Sequence, residues 1–428
     1  MPRRTLACLF IVALAAAPGC TVNPVTGKSQ LDLMGEAQEL ELGKSLYPGA
    51  VQQSLGPIPD DPLQREVDRV GQSVAAVSHR PGLEYRFTAV NDPSVNAFAL
   101  PGGKICITRG LLSRLESEDG LAAVLGHEVG HVTARHAVAA YNRQVFAEGI
   151  LLAGGIYMEA EDVHNRGLIE LGAVVGAGLM LAHYSRDQER ESDQLGLDYA
   201  VKAGYSPRGM VETHKILLAL QKSQPNLVDK LFASHPMSAE RLQTAERRVA
   251  GMPAEVVDRP MRVAELGEAT RGVVAERPAW DRASEAIGKL GDATKAADAE
   301  RSLAEAVRLA PGAGVLRTLH ALGLAAVKRP AEAAPEARRG AELAPGVFLS
   351  RLVAGEMLLA TDPAAALQNS EAAEGLLPGS AKVSLLRGRA LESLGRRKEA
   401  AAAYGEATKR DPNGEIGAEA ARRARALG

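Results

Sequence analysis

The sequence has few cysteines, no excess of charge of either sign and no apolar run long enough to span a membrane. Three cysteines in 428 residues exclude a disulfide framework, and Cys106, flanked by isoleucines, is expected in a core. The 50 basic and 52 acidic residues give a formal net charge of −2, and no block of one sign favours a nucleic-acid partner. With 46% apolar residues, the chain is long enough for two or three domains with cores of their own.

The N-terminus has the three-part pattern of an export signal: Arg3 and Arg4, a short apolar run, and the sequence APGC. The apolar run is too short to remain as a membrane-spanning helix. APGC resembles the lipobox of bacterial lipoproteins, which implies a signal peptide over 1–19 and a lipidated Cys20. Ordinary cleavage after Ala15–Ala17 is the alternative, but it leaves Cys20 as a free thiol at an exposed end of an exported protein.

Three of the nine histidines fall within ten residues, in the stretch LAAVLGHEVGHVTARH. Its apolar residues recur at three-and-four spacing, which predicts a helix. His127 and His131 then lie one turn apart on the same side, with Glu128 directly after the first. This is the zinc-binding His-Glu-x-x-His arrangement. His136, five residues past His131, is expected to point away from both.

A catalytic zinc needs a third protein ligand, and the stretch YSRDQERESDQLGLDYA offers one. On a helix, Glu189 and Asp193 share one face with the small residue Gly196, whereas Glu191 points away. We therefore expect Glu189 to be the third ligand, and Gly196 to let this helix lie close to the first. We expect Asp193 to accept the free ring N–H of a coordinating histidine, assigned as His127.

Three short β-like runs precede the histidine helix. The turn signal PGG joins Asn96–Leu100 to Lys104–Thr108 as a hairpin. We expect a strand edge, to which an extended substrate adds, at Asn96, Ala97 and Phe98. Two helices are predicted before these runs, the first over about 34–46 and the second ending at about Val77.

The last third of the chain, from about Asp281, is rich in Ala, Leu, Arg and Glu. Prolines at positions 311, 345, 378 and 412 are 34, 33 and 34 residues apart, which is the tetratricopeptide period. Such repeats build a concave surface for protein partners. We expect repeats over 281–428, a linker over 251–280, and few energetic dependencies across that boundary.

Together, the stretches NAFALPGG, GHEVGHVTARH and SRDQERESD resemble metallopeptidase family 48, which contains HtpX and the CAAX prenyl protease. The leader NPVTGKSQL and the repeats are similar to its exported, BepA-like and LoiP-like branch. The resemblance implies a lipoprotein leader over 20–33 and a gluzincin domain over 34–250. The implied fold is α+β and mostly helical with a small sheet, followed by an all-α tetratricopeptide solenoid.

The same resemblance implies one Zn2+ per chain, held by His127, His131 and Glu189, with Glu128 as the catalytic base. His235, in the stretch SHPMSAERL, keeps several interpretations open. It is a transition-state donor, a removable fourth zinc ligand, or a structural histidine before a helix.

The function that the resemblance implies is a zinc endopeptidase of the bacterial envelope, periplasmic and lipid-anchored to the outer membrane, which hydrolyses misfolded or stalled proteins. The expected partners are unfolded or misassembled polypeptides and a protein bound by the repeats, with the outer-membrane assembly machinery as a candidate. No nucleic-acid partner is expected. The alternative is a repeat-based chaperone or assembly factor whose metal site is largely silent.

Overall fold

The structure, a computed structural model, describes residues 19–143 and 184–427. The export signal expected over 1–19 lies outside these ranges apart from Gly19. Two Gly/Ala-rich apolar stretches between 149 and 182 also lie outside them; their composition predicts core helices, with a mobile cover over the site as the alternative. Within the described ranges, none of the helices combines the length and the apolar character needed to cross a membrane.

A short hairpin and two helices come first: β1 (Gly19–Val22), β2 (Ser29–Asp32), α1 (Glu36–Gln53) and α2 (Asp61–Ala75). Both predicted helices are present, and α1 continues past its expected end. Asp60 caps α2 by accepting the backbone N–H of Leu63 at 3.0 Å, as short polar side chains do at helix starts. The buried face of α2 has the three-and-four spacing of a helix packed on a core, formed by Leu63, Val67, Val70 and Val74.

A three-stranded sheet follows, built from β3 (Arg86–Val90), β4 (Ala97–Leu100) and β5 (Lys104–Thr108). β5 lies in the middle, parallel to β3 and antiparallel to β4, so the predicted hairpin is confirmed and β4 is an edge strand. The hairpin turn contains Gly102 and Gly103, with φ values of 70° and 81°, a left-handed conformation that glycine adopts without strain. Cys106, in β5, is buried as expected.

Further helices follow the sheet in the described ranges, among them α3 (Arg109–Leu112), α4 (Glu118–Thr133), α5 (Arg186–Lys202), α6 (Arg208–Ser223), α7 (Pro225–Ser234) and α8 (Ala239–Ala250). Every residue of α4 is buried, and this helix packs against α2, α5, α6 and β4. A helix without an exposed face is typical of the centre of a domain. The helices predicted around the histidine motif and around Glu189 are confirmed.

The linker expected over 251–280 needs correction, because most of this segment is helical. A short helix, α9 (Ala254–Val257), is followed by α10 (Val263–Ile287), which has 25 residues. The first half of α10 buries Leu266 in the core of the first domain. Its second half buries Trp280 in the core of the repeats. One continuous helix therefore belongs to both cores.

The repeats form a stack of helices in which each packs against the next. They are α11 (Ala296–Leu309), α12 (Gly314–Ala326), α13 (Pro330–Leu343), α14 (Phe348–Leu358), α15 (Pro363–Leu376), α16 (Ala381–Ser393), α17 (Arg397–Arg410) and α18 (Glu415–Leu427). Each of the four periodic prolines stands two residues after the end of a helix, where its missing N–H removes no helical hydrogen bond. A Cβ at Gly388 would lie 2.5 Å from the Tyr404 ring, so this pair of helices requires glycine. The fold class expected from the sequence, including the repeats, is confirmed.

Side chains also join the two domains, contrary to the expectation that few dependencies cross the boundary. Arg109, directly after β5, pairs with Glu276 at 3.0 Å and lies 4.5 Å from the centroid of the Trp280 ring. Arg114 pairs with Asp281 at 2.6 Å. Burial lowers the pKa of Arg109 to about 10, although Glu276 opposes that shift. A buried cation of the first domain is therefore held by side chains of α10.

Trp280→Ala is expected to lower the free energy of unfolding by about 3–5 kcal/mol, because it leaves a cavity in the core of the repeats and removes the ring beneath Arg109. Val274→Ala, at a position on the same helix with 39% exposure, is the matched control and should change stability by less than about 0.5 kcal/mol. Urea unfolding followed by circular dichroism measures both. Equally small losses in the two variants would contradict the shared role of α10.

Candidate metal centre and active site

The first turn of helix α4, which precedes the His-Glu-x-x-His motif, is hydrogen-bonded to two other segments of the chain. Asp119, in its first turn, accepts the backbone N–H groups of Ser206 and Arg262 at 2.6 and 2.7 Å. These two residues belong to the segments before α6 and before α10, so three parts of the chain meet at this helix end. His127 and His131 lie one turn apart further along α4, both buried, as the sequence predicted.

Helix α5 carries Glu189 and crosses α4 at two glycines. A Cβ at Gly196 would lie 2.6 Å from the backbone nitrogen of His127, and one at Gly126 would lie 2.8 Å from the carbonyl oxygen of Gly196. Contacts this short leave no room for a side chain, so the two backbones touch directly. The close approach predicted from Gly196 is confirmed, and it brings Glu189 beside the motif histidines.

Four side chains meet at this crossing. The ligand atoms of His127, His131, Glu189 and His235 all lie within 4.8 Å of one another, and all four side chains are buried. His131 Nε2 lies 3.0 Å from His127 Nε2 and 3.4 Å from Glu189 Oε1. His235 Nδ1 lies 3.0 Å from Glu189 Oε1 and 3.3 Å from His127 Nε2. Three ring nitrogens therefore face one carboxylate.

The protonation of these groups follows from burial and from their mutual contacts. Burial lowers the pKa of His131 well below its ordinary value, so this imidazole is neutral. Burial would raise the pKa of Glu189, but His235 and the two motif histidines outweigh it and the pKa is lowered. Burial would lower the pKa of His235, but the Glu189 and Glu128 carboxylates outweigh it and the pKa is raised. An ionised carboxylate beside neutral imidazole is a donor set that suits a divalent cation.

Asp193 and Arg241 lie behind the cluster. Asp193 accepts a hydrogen bond from His127 Nδ1 at 3.0 Å, the contact expected from its helix face. Arg241 Nε and Nη2 each lie 2.7 Å from an Asp193 oxygen, and its Nη1 makes an ion-pair contact of 2.7 Å with Glu189 Oε2. Burial would raise the pKa of Asp193, but Arg241 outweighs it and the pKa lies well below its usual range. With Nδ1 as the donor, His127 presents the lone pair of Nε2 to the cluster.

Glu128 lies beside the four groups but is not one of them. Its Oε1 lies 3.9 Å from His235 Nε2, and its Oε2 has no hydrogen-bond partner among the residues that the structure describes. Burial raises the pKa of Glu128, although His235 and His127 oppose the shift. A buried carboxyl group with an unpaired oxygen and a raised pKa is suited to take up and return a proton.

A largely apolar cavity opens beside Glu128. The polar residues in its wall are His127, Glu128, Asp193, Thr213, His214, His235 and Arg241. Its apolar wall comprises Ala97, Leu111, Ala123, Val124, Met210, Leu217, Leu231, Phe232 and Met237. Of the three residues predicted to bind substrate, Ala97 alone lines this cavity.

The edge of β4 faces outward from the sheet, with β5 as its strand partner in the described part of the chain. The Thr108 N–H donates to the Asn96 carbonyl at 3.0 Å, and ladder bonds recur at every second residue, so the backbone groups of Ala97 point away from β5. Phe98 packs its side chain beside Cys106 and turns its backbone to β5. The backbone of Asn96 also faces β5, so the expectation that Asn96 and Phe98 form part of the edge needs correction. Asn96 Oδ1 is buried and has no hydrogen-bond partner among the described residues.

Two aromatic side chains that the sequence did not indicate surround His131. Tyr184 stacks on its ring with the centroids 4.0 Å apart. His136 Nδ1 lies 2.9 Å from His131 Nδ1, although the five-residue spacing predicted that it points away. That prediction is wrong because α4 ends at Thr133 and Arg135 adopts a left-handed φ of 58°. Because the chain reverses direction at Arg135, the side chain of His136 contacts His131.

The N-terminal segment holds Arg135 in this conformation. Arg135 Nε donates to Glu39 Oε2 at 2.9 Å, and its Nη2 donates to the Met34 carbonyl at 3.0 Å. Its Nη1 also pairs with Asp32, and Arg80 donates to Glu39 at 2.8 Å. Positive φ is uncommon for arginine, so no pattern in the sequence indicates the turn.

The residues of the cluster fit zinc. Histidine nitrogens and a carboxylate oxygen are ligands that zinc prefers, and two of the histidines have the spacing of its helical motif. The 3.0 Å approach of His127 Nε2 to His131 Nε2 brings two lone-pair nitrogens together, which a shared cation stabilises. The contact between His127 and Asp193 adds the carboxylate that commonly supports a metal-binding histidine.

A His-Glu-x-x-His motif on a buried helix, joined by a carboxylate from a second helix, defines the class of helical zinc metallopeptidase domains. Residues 62–249 match the profile of peptidase family M48. This part of the chain is therefore a peptidase M48 domain, the family expected from the motifs. The match includes every member of the cluster and Glu128.

The chain is also similar to curated proteins. The chain is 32% identical over 188 residues to the mitochondrial metalloendopeptidase OMA1 of Schizosaccharomyces pombe, covering 43% of this chain and 52% of that protein. It is 26% identical over 251 residues to the beta-barrel assembly-enhancing protease of Escherichia coli, covering 58% and 51%. The chain thus spans about half the length of these relatives. Among solved structures, YrrB, a TPR protein with an unusual peptide-binding site, matches 48% of this chain and 97% of its own at 16% identity and a TM-score of 0.32.

Gly196→Ala is expected to weaken metal binding, because the added methyl group would lie 2.6 Å from the His127 backbone nitrogen and push Glu189 away from α4. We expect the Zn2+ dissociation constant to rise at least about ten-fold. Gly405→Ala, on α17 with no atom within 4 Å of the added Cβ, is the matched control and should leave it unchanged. Competition with a zinc-chelating dye measures both constants. Wild-type affinity in Gly196→Ala would show that the helix crossing does not set the ligand positions.

Proposed function

We propose that this chain is a zinc-dependent endopeptidase. The observation that carries the proposal is the state of Glu128, which is buried beside four metal-ligand groups and has an oxygen without a hydrogen-bond partner among the described residues. A carboxyl group in such a position costs folding free energy. Perturbed, unsatisfied acids of this kind occur at catalytic sites, where a general base is needed.

His127, His131 and Glu189 would hold one zinc ion per chain, and His235 is the fourth group of the cluster. When bound, zinc supplies a Lewis acid that polarises the scissile carbonyl and makes water a stronger acid. Glu128 accepts the proton of the attacking water and later returns it to the leaving amine.

Unfolded polypeptide is the proposed substrate. An extended chain can add to the edge of β4 through the backbone groups of Ala97, a mode that reads backbone rather than sequence. The cavity beside Glu128, whose wall is mostly apolar, would take an apolar side chain next to the scissile bond. Unfolded chains offer both an unpaired backbone and exposed apolar side chains, whereas folded proteins bury most of theirs.

We further propose that the protein works in the bacterial envelope. One relative is named a beta-barrel assembly-enhancing protease, and the N-terminal sequence has export and lipobox patterns. The chain would be periplasmic, anchored to the outer membrane by acyl chains on Cys20, and would hydrolyse misfolded or stalled envelope proteins. The repeats would bind a protein partner, for which the outer-membrane assembly machinery is the candidate.

A repeat-based chaperone with a silent metal site is the second candidate function. The repeat solenoid favours it, because stacked helical repeats bind polypeptide without chemistry. It gives no reason for a buried, unpaired carboxyl group beside the metal ligands. Hydrolysis that depends on Glu128 separates the two functions.

Glu128→Gln is expected to slow the cleavage of unfolded casein at least about 100-fold while keeping zinc, because the amide has the shape of the side chain but accepts no proton. Glu189→Ala is the paired variant: it removes a ligand and should lose both zinc and hydrolysis. Zinc content and casein cleavage of the purified proteins measure the two effects. Undiminished cleavage by a zinc-loaded Glu128→Gln protein would refute the proposed base.

His235→Ala is expected to raise basal proteolysis, because the fourth group of the cluster competes with water for the metal and the substitution removes it. A transition-state donor at this position would give the opposite result, a loss of about 100-fold. His320→Ala, within the repeats, is the control and should leave the rate unchanged. Initial rates on casein at equal zinc content measure the three proteins. A His235→Ala variant with the wild-type rate but lower thermal stability would leave His235 a structural role alone.

A further inference from the structure

A second line of side chains leads from His131 toward the protein surface. His131 Nδ1 lies 2.9 Å from His136 Nδ1, and His136 Nε2 lies 3.2 Å from Glu191 Oε2. His136 is buried, whereas the Glu191 side chain is 33% exposed. Glu191 points away from Glu189 on α5, so it reaches His131 only through His136.

The Glu191 carboxylate, at the exposed end of this line of side chains, determines which atom donates in each hydrogen bond. A carboxylate has no proton to give, so Glu191 accepts and His136 Nε2 donates. A neutral imidazole that donates from one nitrogen accepts at the other, so His136 Nδ1 accepts from His131 Nδ1. Ser192 Oγ, at 3.4 Å, is a more distant second donor to His136 Nδ1. His131 therefore presents the lone pair of Nε2 to the cluster, where Glu189 Oε1 lies 3.4 Å away.

Each of the two motif histidines is thus linked by hydrogen bonds to a carboxylate, one directly and the other through a second imidazole. His127 Nδ1 donates directly to Asp193 at 3.0 Å, whereas His131 is linked to Glu191 through one imidazole. A carboxylate behind a metal-binding histidine fixes its tautomer and ring orientation and increases its basicity. His136 can take this intermediate place because the chain reverses at Arg135, with its φ of 58°.

We infer that His136 and Glu191 are positioning residues for the metal ligand His131. They hold His131 Nε2 without a proton and aimed at the other ligands, and so raise the affinity for Zn2+ without contacting the metal. The inference rests on the proposed metal centre. It extends that centre beyond the motif to a residue after the end of α4 and to a partly exposed carboxylate.

The test compares the Zn2+ dissociation constants of variants of the full chain, measured by competition with a chelating dye. His136→Leu removes the acceptor of the His131 N–H and should raise the constant about 10- to 100-fold. His136→Gln offers an amide oxygen to the same N–H and should recover most of that loss. Glu191→Gln keeps an acceptor without its charge and should raise the constant about three-fold. Asp187→Asn, with a side chain that is 90% exposed on the same helix, is the matched control and should have no effect.

The absorption spectrum of Co2+-loaded protein adds a readout that a general packing defect does not mimic. The visible bands should shift in His136→Leu and return in His136→Gln, because the ligand field depends on the orientation of His131. Unchanged Zn2+ affinity in His136→Leu and Glu191→Gln would overturn the inference and leave the metal centre intact. A wild-type chain that binds no Zn2+ would overturn the metal centre itself, and the inference with it. If His136→Leu does not fold, Glu191→Gln decides: a weaker affinity than that of Asp187→Asn supports the inference, and an equal affinity overturns it.

Discussion

The direct backbone contact between α4 and α5 determines the geometry of the site. Helices that pack through ordinary side chains keep their axes about 8–10 Å apart, and a glutamate on one of them would then stand off from histidines on the other. Gly126 and Gly196 face each other across this crossing with no space for a methyl group between the backbones. Because of this approach, Glu189 lies within 3.5 Å of ring nitrogens of both His127 and His131. The ligand positions follow from two residues that have no side chain.

The crossing of α4 and α5 also buries the carboxylates of Glu189 and Asp193, and the residue that pairs with both lies on a distant helix. Arg241, on α8, contacts both Asp193 and Glu189, which offsets the cost of burying two carboxylates. Arg135, at the other end of α4, is paired with carboxylates of the N-terminal segment. Glu128 Oε2 and Glu189 Oε2 both lack a hydrogen-bond partner in the described part of the chain, but Glu189 Oε2 makes an ion-pair contact with Arg241 at 2.7 Å. Asp193 and Glu189 are thus paired with Arg241, whereas the Glu128 carboxyl group remains available to exchange a proton.

The sequence predicted those parts of the site that depend on helix periodicity alone. His127, Glu128, His131, Glu189 and Asp193 all lie within regular helices, where spacing determines the face. His136 was misjudged because the helix ends before it, and His235 remained open because it follows the end of α7. The segment before the repeats was predicted to be a linker, although most of it is helical. Its buried Leu266, Thr270 and Val273 nevertheless have helical spacing, a signal that was present in the sequence. The attachment of the repeats through Arg109 and Trp280 joins residues far apart in the chain, and no local pattern encodes such a contact.

The central claim is that the crossing of α4 and α5 builds a zinc centre from His127, His131 and Glu189. X-ray absorption at the zinc edge of the purified full-length protein tests this claim most directly, because it reports the ligands of the bound ion without reference to activity. The account expects about four nitrogen or oxygen ligands at about 2.0–2.1 Å, with the outer-shell scattering of at least two imidazoles. A sulfur shell at about 2.3 Å, or a spectrum without imidazole scattering, would contradict it.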